Sequence, residues 1–193
     1  MTEQQVAIIN RWAWVLSPCV EFAGRYLQLP KVEIVFADCP SNLFPTMSNA
    51  AEGTLLPNGV GRVLFNGPWF AERICEHRDD VEFFLFHELR HLHQFGQMNI
   101  LRSKGKTREP KETVEAWQRG FDGYVRNDGE STETANVTQE VEVDANAYGL
   151  LLSTLYRGGK FPIVSIPDEA FFSARDRVQK YYDTLPEFRT KKT

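Results

Sequence analysis

Apolar positions in the first forty residues follow a helical spacing and then an alternating one. Residues 3–28 place an apolar side chain every third or fourth position, which predicts a helix that Pro18 kinks or splits in two. These positions are Val6, Ile9, Ala13, Leu16, Val20, Ala23 and Leu27. Residues 31–37 alternate at first and are rich in β-branched side chains, so they are predicted to form a strand.

The next segment predicts a hairpin that leads into helices. Two β-like runs at 52–56 and 60–66 flank Pro57-Asn58-Gly59, a turn sequence. Pro68 follows the second run and favours the first turn of a helix over about 68–78.

The second half of the chain reads as helical. Residues 80–97 are apolar nearly all round in their first half, which predicts a buried helix that begins near Asp79-Asp80 and stops at Gly96. Further helices are predicted over 111–125, 135–155 and 167–182. The order of helix, strands and further helices predicts a single α+β domain over 1–193, with a small antiparallel sheet.

Composition narrows the class of protein. A chain of 193 residues with 42% hydrophobic and 25% charged residues suits one globular domain. The formal charge of −4 argues against nucleic acid as a required partner, because phosphate binding needs clustered cations. No run is long and apolar enough to span a membrane, so we expect no membrane-spanning segment.

The cysteines and the first residues indicate a compartment. Cys19, Cys39 and Cys75 are odd in number and far apart, so we expect reduced thiols and a cytoplasmic location. The N-terminal apolar stretch follows no basic segment, which does not fit a secretory signal. The oligomeric state is left open by the sequence.

The candidate chemistry lies in one motif. His87-Glu88-Leu89-Arg90-His91 has the form H-E-x-x-H and falls inside the predicted buried helix. Residues four apart share a helix face, so both imidazoles can meet one Zn²⁺ ion. Glu88 projects beside them and is predicted to act as general base toward a water molecule that the metal activates. The alternative is a pair of core histidines that bond backbone carbonyls.

A catalytic zinc site needs a third protein ligand. Position 97, where some zinc peptidases carry a third histidine, is Gln97, and no histidine follows His93. His93 lies on another face of the helix and His77 lies on a different helix. The third ligand should therefore be a downstream acid, with candidates at Glu140, Glu142 and Asp144. Glu140 and Glu142 differ by about 200° around a helix, so only one of them can serve the metal.

The combined pattern resembles that of the gluzincin metallopeptidases. His87-Glu-x-x-His91 followed by Glu142-x-x-Ala145-Asn146 is similar to their H-E-x-x-H plus E-x-x-A-[D/N] signature, in the minimal soluble form. The resemblance implies that Glu142 is the third zinc ligand and that Asn146 hydrogen-bonds a liganding histidine. It also implies that the edge of the strand at 60–66 binds an extended peptide by strand addition.

These expectations combine into a functional hypothesis. The chain is predicted to be a zinc-dependent endopeptidase that cleaves peptide or protein substrates. Tyr148 is the candidate donor to the oxyanion, with Tyr124, His93 and Arg90 as alternatives. The alternative function is a catalytically silent zinc-binding or regulatory interaction protein derived from a peptidase. We further expect the phenylalanines of 83–86 to be core and the basic linker 102–111 to be a solvated loop.

Overall fold

A computed structural model describes residues 1–125, 135, 138–158 and 167–182. The helices and strands in these ranges are α1 (Glu3–Trp12), α2 (Leu16–Ala23), β1 (Val32–Ala37), β2 (Ala51–Leu55), β3 (Gly61–Asn66), α3 (Gly67–Arg73), α4 (Arg78–Arg102), α5 (Lys111–Asp122), α6 (Glu140–Arg157) and α7 (Asp168–Tyr182). The predicted α+β class is confirmed. Residues 127–134, where the sequence predicts a loop, lie outside the described residues, as do residues 136 and 137 of the helix predicted over 135–155.

The first helical region is divided as predicted. A short 3₁₀ turn at Ala13–Val15 separates α1 from α2. Pro18 lies in the first turn of α2, where its missing N–H has no partner to lose. The break therefore falls just before Pro18, and the sequence pattern predicts it correctly.

The three strands form one mixed sheet in the order β1-β3-β2. The predicted hairpin joins β2 to β3, with Gly59 at φ +80° in the turn. β1 pairs with the other edge of β3 in parallel, so the expectation of a wholly antiparallel sheet is corrected. Alternation of apolar and polar side chains reports which face of a strand is buried, and it carries no information on the direction of the neighbouring strand.

Helix α4 is longer than the sequence predicts. It continues through Gly96 to Arg102, because Gln97 and Met98 beyond the glycine are buried. Glycine inside a helix costs about 1 kcal/mol, which burial of the following turn readily offsets. The predicted stop at Gly96 was wrong, whereas the start near Asp79-Asp80 is confirmed, since both lie in the first turn.

Helices α4 and α6 pack side by side and hold the central position of the fold. Small residues of α6 allow this approach: Ala145 and Ala147 are fully buried. A Cβ at Gly149 would lie 3.0 Å from a ring carbon of Phe83 on α4, so glycine suits this contact. Gly158, at φ +70°, is the C-cap that ends α6. Within the described ranges, none of the helices combines the length and apolar character required to cross a bilayer.

Candidate metal centre

The two histidines of the motif lie one turn apart on α4 and point at a common space. The distance between His87 Nε2 and His91 Nε2 is 3.1 Å. Glu142 reaches the same space from α6, with Oε2 at 3.2 Å from His87 Nε2 and Oε1 at 3.3 Å from His91 Nε2. All three side chains are buried. The structure thus brings together the three residues that the sequence pattern and the resemblance selected.

The distances between these donor atoms fit a metal ion. Ligands at about 2.0–2.1 Å from a tetrahedral zinc ion lie about 3.3–3.4 Å apart, close to the three separations above. Donor atoms of His87, Glu88 and His91 also lie within 4.8 Å of one another, which marks the same place as a possible metal site. Two imidazoles and one carboxylate form a donor set that suits zinc and leaves a fourth position for a further ligand.

The outer nitrogen of each imidazole has its own hydrogen-bond acceptor. His87 Nδ1 lies 2.9 Å from Asn146 Oδ1, and His91 Nδ1 lies 2.8 Å from Gln94 Oε1. With these oxygens as acceptors, Nδ1 carries the proton in each ring. In the neutral form of each ring, the Nε2 lone pair is then directed at the common space, as metal ligation requires. The contact of Asn146 with His87 is the one that the resemblance implied.

Glu88 is held beside the donor atoms by the backbone of β2. The Gly53 N–H donates to Glu88 Oε2 at 2.6 Å, while Oε1 lies 3.9 Å from His87 Nε2. A Cβ at position 53 would lie only 2.9 Å from the Glu88 carbonyl oxygen, so the strand approaches this closely because residue 53 is glycine. Oε2 is therefore anchored and Oε1 faces the metal space.

Burial and neighbouring charges set the protonation of these groups. Burial raises the pKa of Glu88 above its usual value, against the opposing effect of His87 and His91. Burial alone would lower the pKa of His91, but the Glu142 carboxylate beside it raises that pKa to about 9. Glu142 is buried too, yet the two imidazoles hold its pKa well below the usual range. In the metal-free protein, a proton on His91 and the charge of Glu142 therefore stabilise one another.

The other candidate ligands lie elsewhere. Glu140 is exposed, and Asp144 accepts from Arg90 Nε at 2.8 Å and does not line the cleft. His77 is an exposed residue at the N-cap of α4. His93 is buried between the Gln28 N–H and Glu109, and burial lowers its pKa to about 4, so it is neutral. Of the three acids that the sequence left open, only Glu142 contacts the histidines.

The candidate for the oxyanion changes from one tyrosine to another. Tyr148 is buried against Arg90, whose guanidinium carbon lies 3.6 Å from its ring centroid, and it does not line the cleft. Tyr124 does line the cleft, and its hydroxyl donates to Glu142 Oε1 at 2.6 Å. Tyr148 is six residues beyond Glu142, which turns it about 240° away around α6.

The metal space opens into a cleft of about 610 Å³. One wall is the loop before β2 together with β2 itself, and the other is formed by aromatic residues of α4 and α5. The aromatic wall includes Phe84, Phe95 and Phe121. Phe83 and Phe86 are core, as expected, whereas Phe84 is partly buried, packs against the core and also lines the cleft.

Two contributors to the site were missed by sequence reasoning, although each left a signal. Gln94 follows His91 by three residues, a spacing that places it on the same helix face. Gly53 interrupts a strand pattern, which often marks a close approach of another backbone. Comparisons of the chain with protein-family models, curated proteins and solved structures find no significant match.

Proposed function

We propose that this protein is a zinc-dependent endopeptidase that hydrolyses peptide bonds in an extended peptide or protein segment. The observation that carries this proposal is the triangle of His87, His91 and Glu142 donor atoms with Glu88 Oε1 beside it. Three protein ligands with an adjacent carboxylate are the arrangement that zinc hydrolases use.

His87 and His91 would hold the ion through Nε2, and Glu142 through its carboxylate. When bound, zinc supplies Lewis acidity that makes a water molecule a stronger acid and polarises a substrate carbonyl. The support for zinc lies in the donor set and its spacing.

Glu88 would move the proton. Oε1 takes a proton from the water as its oxygen attacks the carbonyl carbon, and the same proton passes to the amide nitrogen when the C–N bond breaks. The raised pKa of Glu88, which follows from its burial, makes the carboxylate a better base. Gly53 restrains Oε2 and so keeps Oε1 directed at the reacting atoms.

Tyr124 takes over the role first considered for Tyr148. A phenolic hydroxyl that lines the cleft can donate to the carbonyl oxygen as charge builds up on it. The hydroxyl of Tyr124 is held 2.6 Å from Glu142 Oε1, within the group of residues that would surround the reacting carbonyl.

The substrate would lie along β2. The sequence analysis expected the edge of β3 to bind it, but β3 is the central strand and both of its edges are paired. The Asn66 and Leu56 N–H groups bond Ala50 and Val60 carbonyls, so the alternate residues Ala51 and Gly53 direct their backbone groups away from β3. The Gly53 N–H is held by Glu88, so a substrate strand would pair with the Gly53 carbonyl and with the backbone groups of Ala51. Both residues line the cleft, which favours strand addition there.

We also propose that the protein acts in a reducing compartment such as the cytoplasm. The support is that Cys19, Cys39 and Cys75 are all free thiols in the structure.

The purified protein is expected to bind one zinc ion per chain and to hydrolyse an unfolded protein substrate. A chelator should abolish this hydrolysis and added zinc should restore it. Glu142→Gln should weaken zinc binding by more than about 100-fold, because loss of a ligand costs more than loss of an outer hydrogen-bond partner. Glu140→Gln removes an exposed glutamate from the same helix and should leave zinc affinity unchanged. Equal affinity in the two variants would exclude Glu142 as a ligand.

Zinc affinity should rise with pH between 7 and 9. Because the pKa of His91 is raised to about 9 in the metal-free protein, the ring is protonated below that pH and zinc must displace the proton. The apparent association constant should therefore increase about tenfold per pH unit up to pH 9 and level off above it. Competition with a chelator of known proton affinity measures this slope. An association constant that does not change from pH 7 to 9 would contradict the assignment of His91 as a ligand from which zinc displaces a proton.

A further inference from the structure

A buried group of charged residues lies beside the metal centre and does not line the cleft. Arg90 has no exposed surface, and its Nη1 lies 2.9 Å from Glu109 Oε1 and its Nε 2.8 Å from Asp144 Oδ2. Its guanidinium also stacks on the ring of Tyr148. Because Arg90 and Asp144 belong to α4 and α6, this group joins the two helices that carry the zinc ligands.

Gln94 connects this charged group to the metal centre. Its Nε2 donates to Asp144 Oδ2 at 2.9 Å and to the Val141 carbonyl at 3.2 Å. Both of these partners are acceptors, so the amide nitrogen must face them and the amide oxygen must face His91. Oε1 then accepts the His91 Nδ1 proton at 2.8 Å, which leaves the Nε2 lone pair of His91 for a metal.

Helix α7 contributes the outermost residue of this charged group. Arg177 of α7 donates through Nη2 to Asp144 Oδ1, and its Nη1 lies 3.8 Å from Glu109 Oε2. Asp144 is therefore held on both oxygens: Arg177 and, at 3.4 Å, Arg90 Nη2 donate to Oδ1, while Arg90 Nε and Gln94 donate to Oδ2. The side chain of Arg177 is 19% exposed, so it can be replaced without opening the core.

We propose that Gln94, Asp144 and Arg177 are positioning residues that set the metal affinity of the site, so that helix α7 supports a metal centre it does not touch. The inference rests on the metal-binding part of the proposed function. Without Arg177, the Asp144 carboxylate loses the shorter of its two bonds on Oδ1, keeps only Arg90 Nη2 at 3.4 Å there, and is held less firmly. Gln94 then loses a fixed acceptor, and His91 loses the hydrogen bond that selects its tautomer and ring orientation.

Zinc titration of four proteins tests the proposal: the wild type, Gln94→Met, Arg177→Gln and the control Arg175→Gln. Arg175 lies on the same helix, and among the described residues its ion pair is with the exposed Asp176. Loss of an outer partner typically weakens metal binding by about 10–100-fold, which we expect for Gln94→Met. One bond further out, Arg177→Gln should weaken it by about 3–10-fold, and Arg175→Gln should leave it unchanged. Circular dichroism of each metal-free protein establishes that the total helix content is unchanged.

A double variant separates positioning from a general loss of stability. If Arg177 acts through Gln94, then adding Arg177→Gln to Gln94→Met should weaken zinc binding no further. The absorption bands of bound Co²⁺ should also change in Gln94→Met and Arg177→Gln, and stay as in the wild type in Arg175→Gln.

Each result has a defined meaning. Tight zinc binding by the wild type, with Arg177→Gln equal to Arg175→Gln, would overturn the role of α7 and leave the proposed function intact. Fully additive losses in the double variant would equally overturn it, because Arg177 would then act independently of Gln94. A wild type that binds no zinc would overturn the proposed function and this inference with it.

Discussion

We expect Glu88→Gln to lower the rate of peptide hydrolysis by about 10³-fold while zinc affinity stays within about threefold of the wild type. A positioned general acid–base group contributes typically about 10²–10⁴-fold to a rate. The substitution removes the only proton acceptor that the mechanism assigns, and the three zinc ligands are unchanged. The loss should therefore appear in turnover and be absent from metal binding.

The local geometry makes this substitution a clean one. The amide oxygen of glutamine can take over from Oε2 as acceptor of the Gly53 N–H, which lies 2.6 Å away in the wild type. The amide nitrogen then occupies the place of Oε1, 3.9 Å from His87 Nε2, and has no lone pair to receive a proton. Shape and anchoring are kept, so a fall in rate reports the missing base.

Hydrolysis of an unfolded protein substrate by zinc-loaded enzyme measures the effect, with zinc content determined on the same samples. Glu140→Gln is the matched control, since it makes the same carboxylate-to-amide change at an exposed glutamate. Activity of Glu88→Gln equal to that of Glu140→Gln would exclude Glu88 as the base. A wild type that binds zinc but cleaves no substrate would favour the regulatory zinc-binding protein over the peptidase.

The part of the site that the sequence predicts is the part set by a single helix. His87, Glu88 and His91 are related by the helical repeat alone, so their common direction follows once residues 80–97 are recognised as a helix. The prediction of α4 was accurate for this reason, even though its end was misplaced at Gly96. Burial beyond the glycine depends on contacts with distant segments, which local propensity does not report.

The sequence pattern alone did not identify which acid of α6 is the third ligand. The pattern left Glu140, Glu142 and Asp144 open, and the resemblance selected Glu142. The structure separates the three by their surroundings: Glu140 is in solvent and Asp144 is bound to Arg90. The position of Arg90 inside the motif gave no sign of this, because a charged residue on a helix usually faces water.

The sequence favoured Tyr148 over Tyr124 and the edge of β3 over that of β2, for a similar reason. Tyr124 lies at the end of α5, and its approach to Glu142 depends on the packing of Phe121 against His91 and Phe95, with ring centroids 5.8 and 4.6 Å apart. The choice of β2 over β3 as the exposed edge depends on where β1 joins the sheet. Both are properties of tertiary structure that residue spacing does not encode.

Replacement of Arg90 by methionine is expected to lower the free energy of unfolding by about 3–5 kcal/mol. Removal of one partner from a buried ion pair leaves an uncompensated charge in the interior, which has this cost. Arg90 is fully buried and neutralises two carboxylates, Glu109 and Asp144. Burial alone would raise the pKa of each carboxyl, but Arg90 is the chief reason that both pKa values stay below their usual range.

The remaining partners soften this loss without removing it. Arg177 still contacts both carboxylates, and Tyr148 keeps its packing on the methionine side chain. A domain of this kind is stable by about 5–15 kcal/mol, so the variant should fold but unfold at a much lower urea concentration. Unfolding of the wild type and of the variant should be measured in the presence of a chelator, because bound zinc would add its own stabilisation by mass action.

Arg73→Met provides the control for a surface pair. Arg73 Nη1 lies 3.3 Å from Asp80 Oδ2 and both side chains are more than a third exposed, so its loss should cost less than about 1 kcal/mol. Urea unfolding with an unchanged slope isolates the stability difference between the two variants. If Arg90→Met were no less stable than Arg73→Met, then Arg90 would not be the residue that stabilises the buried carboxylates of Glu109 and Asp144. The link from α7 through Asp144 to the metal site would then need a different anchor.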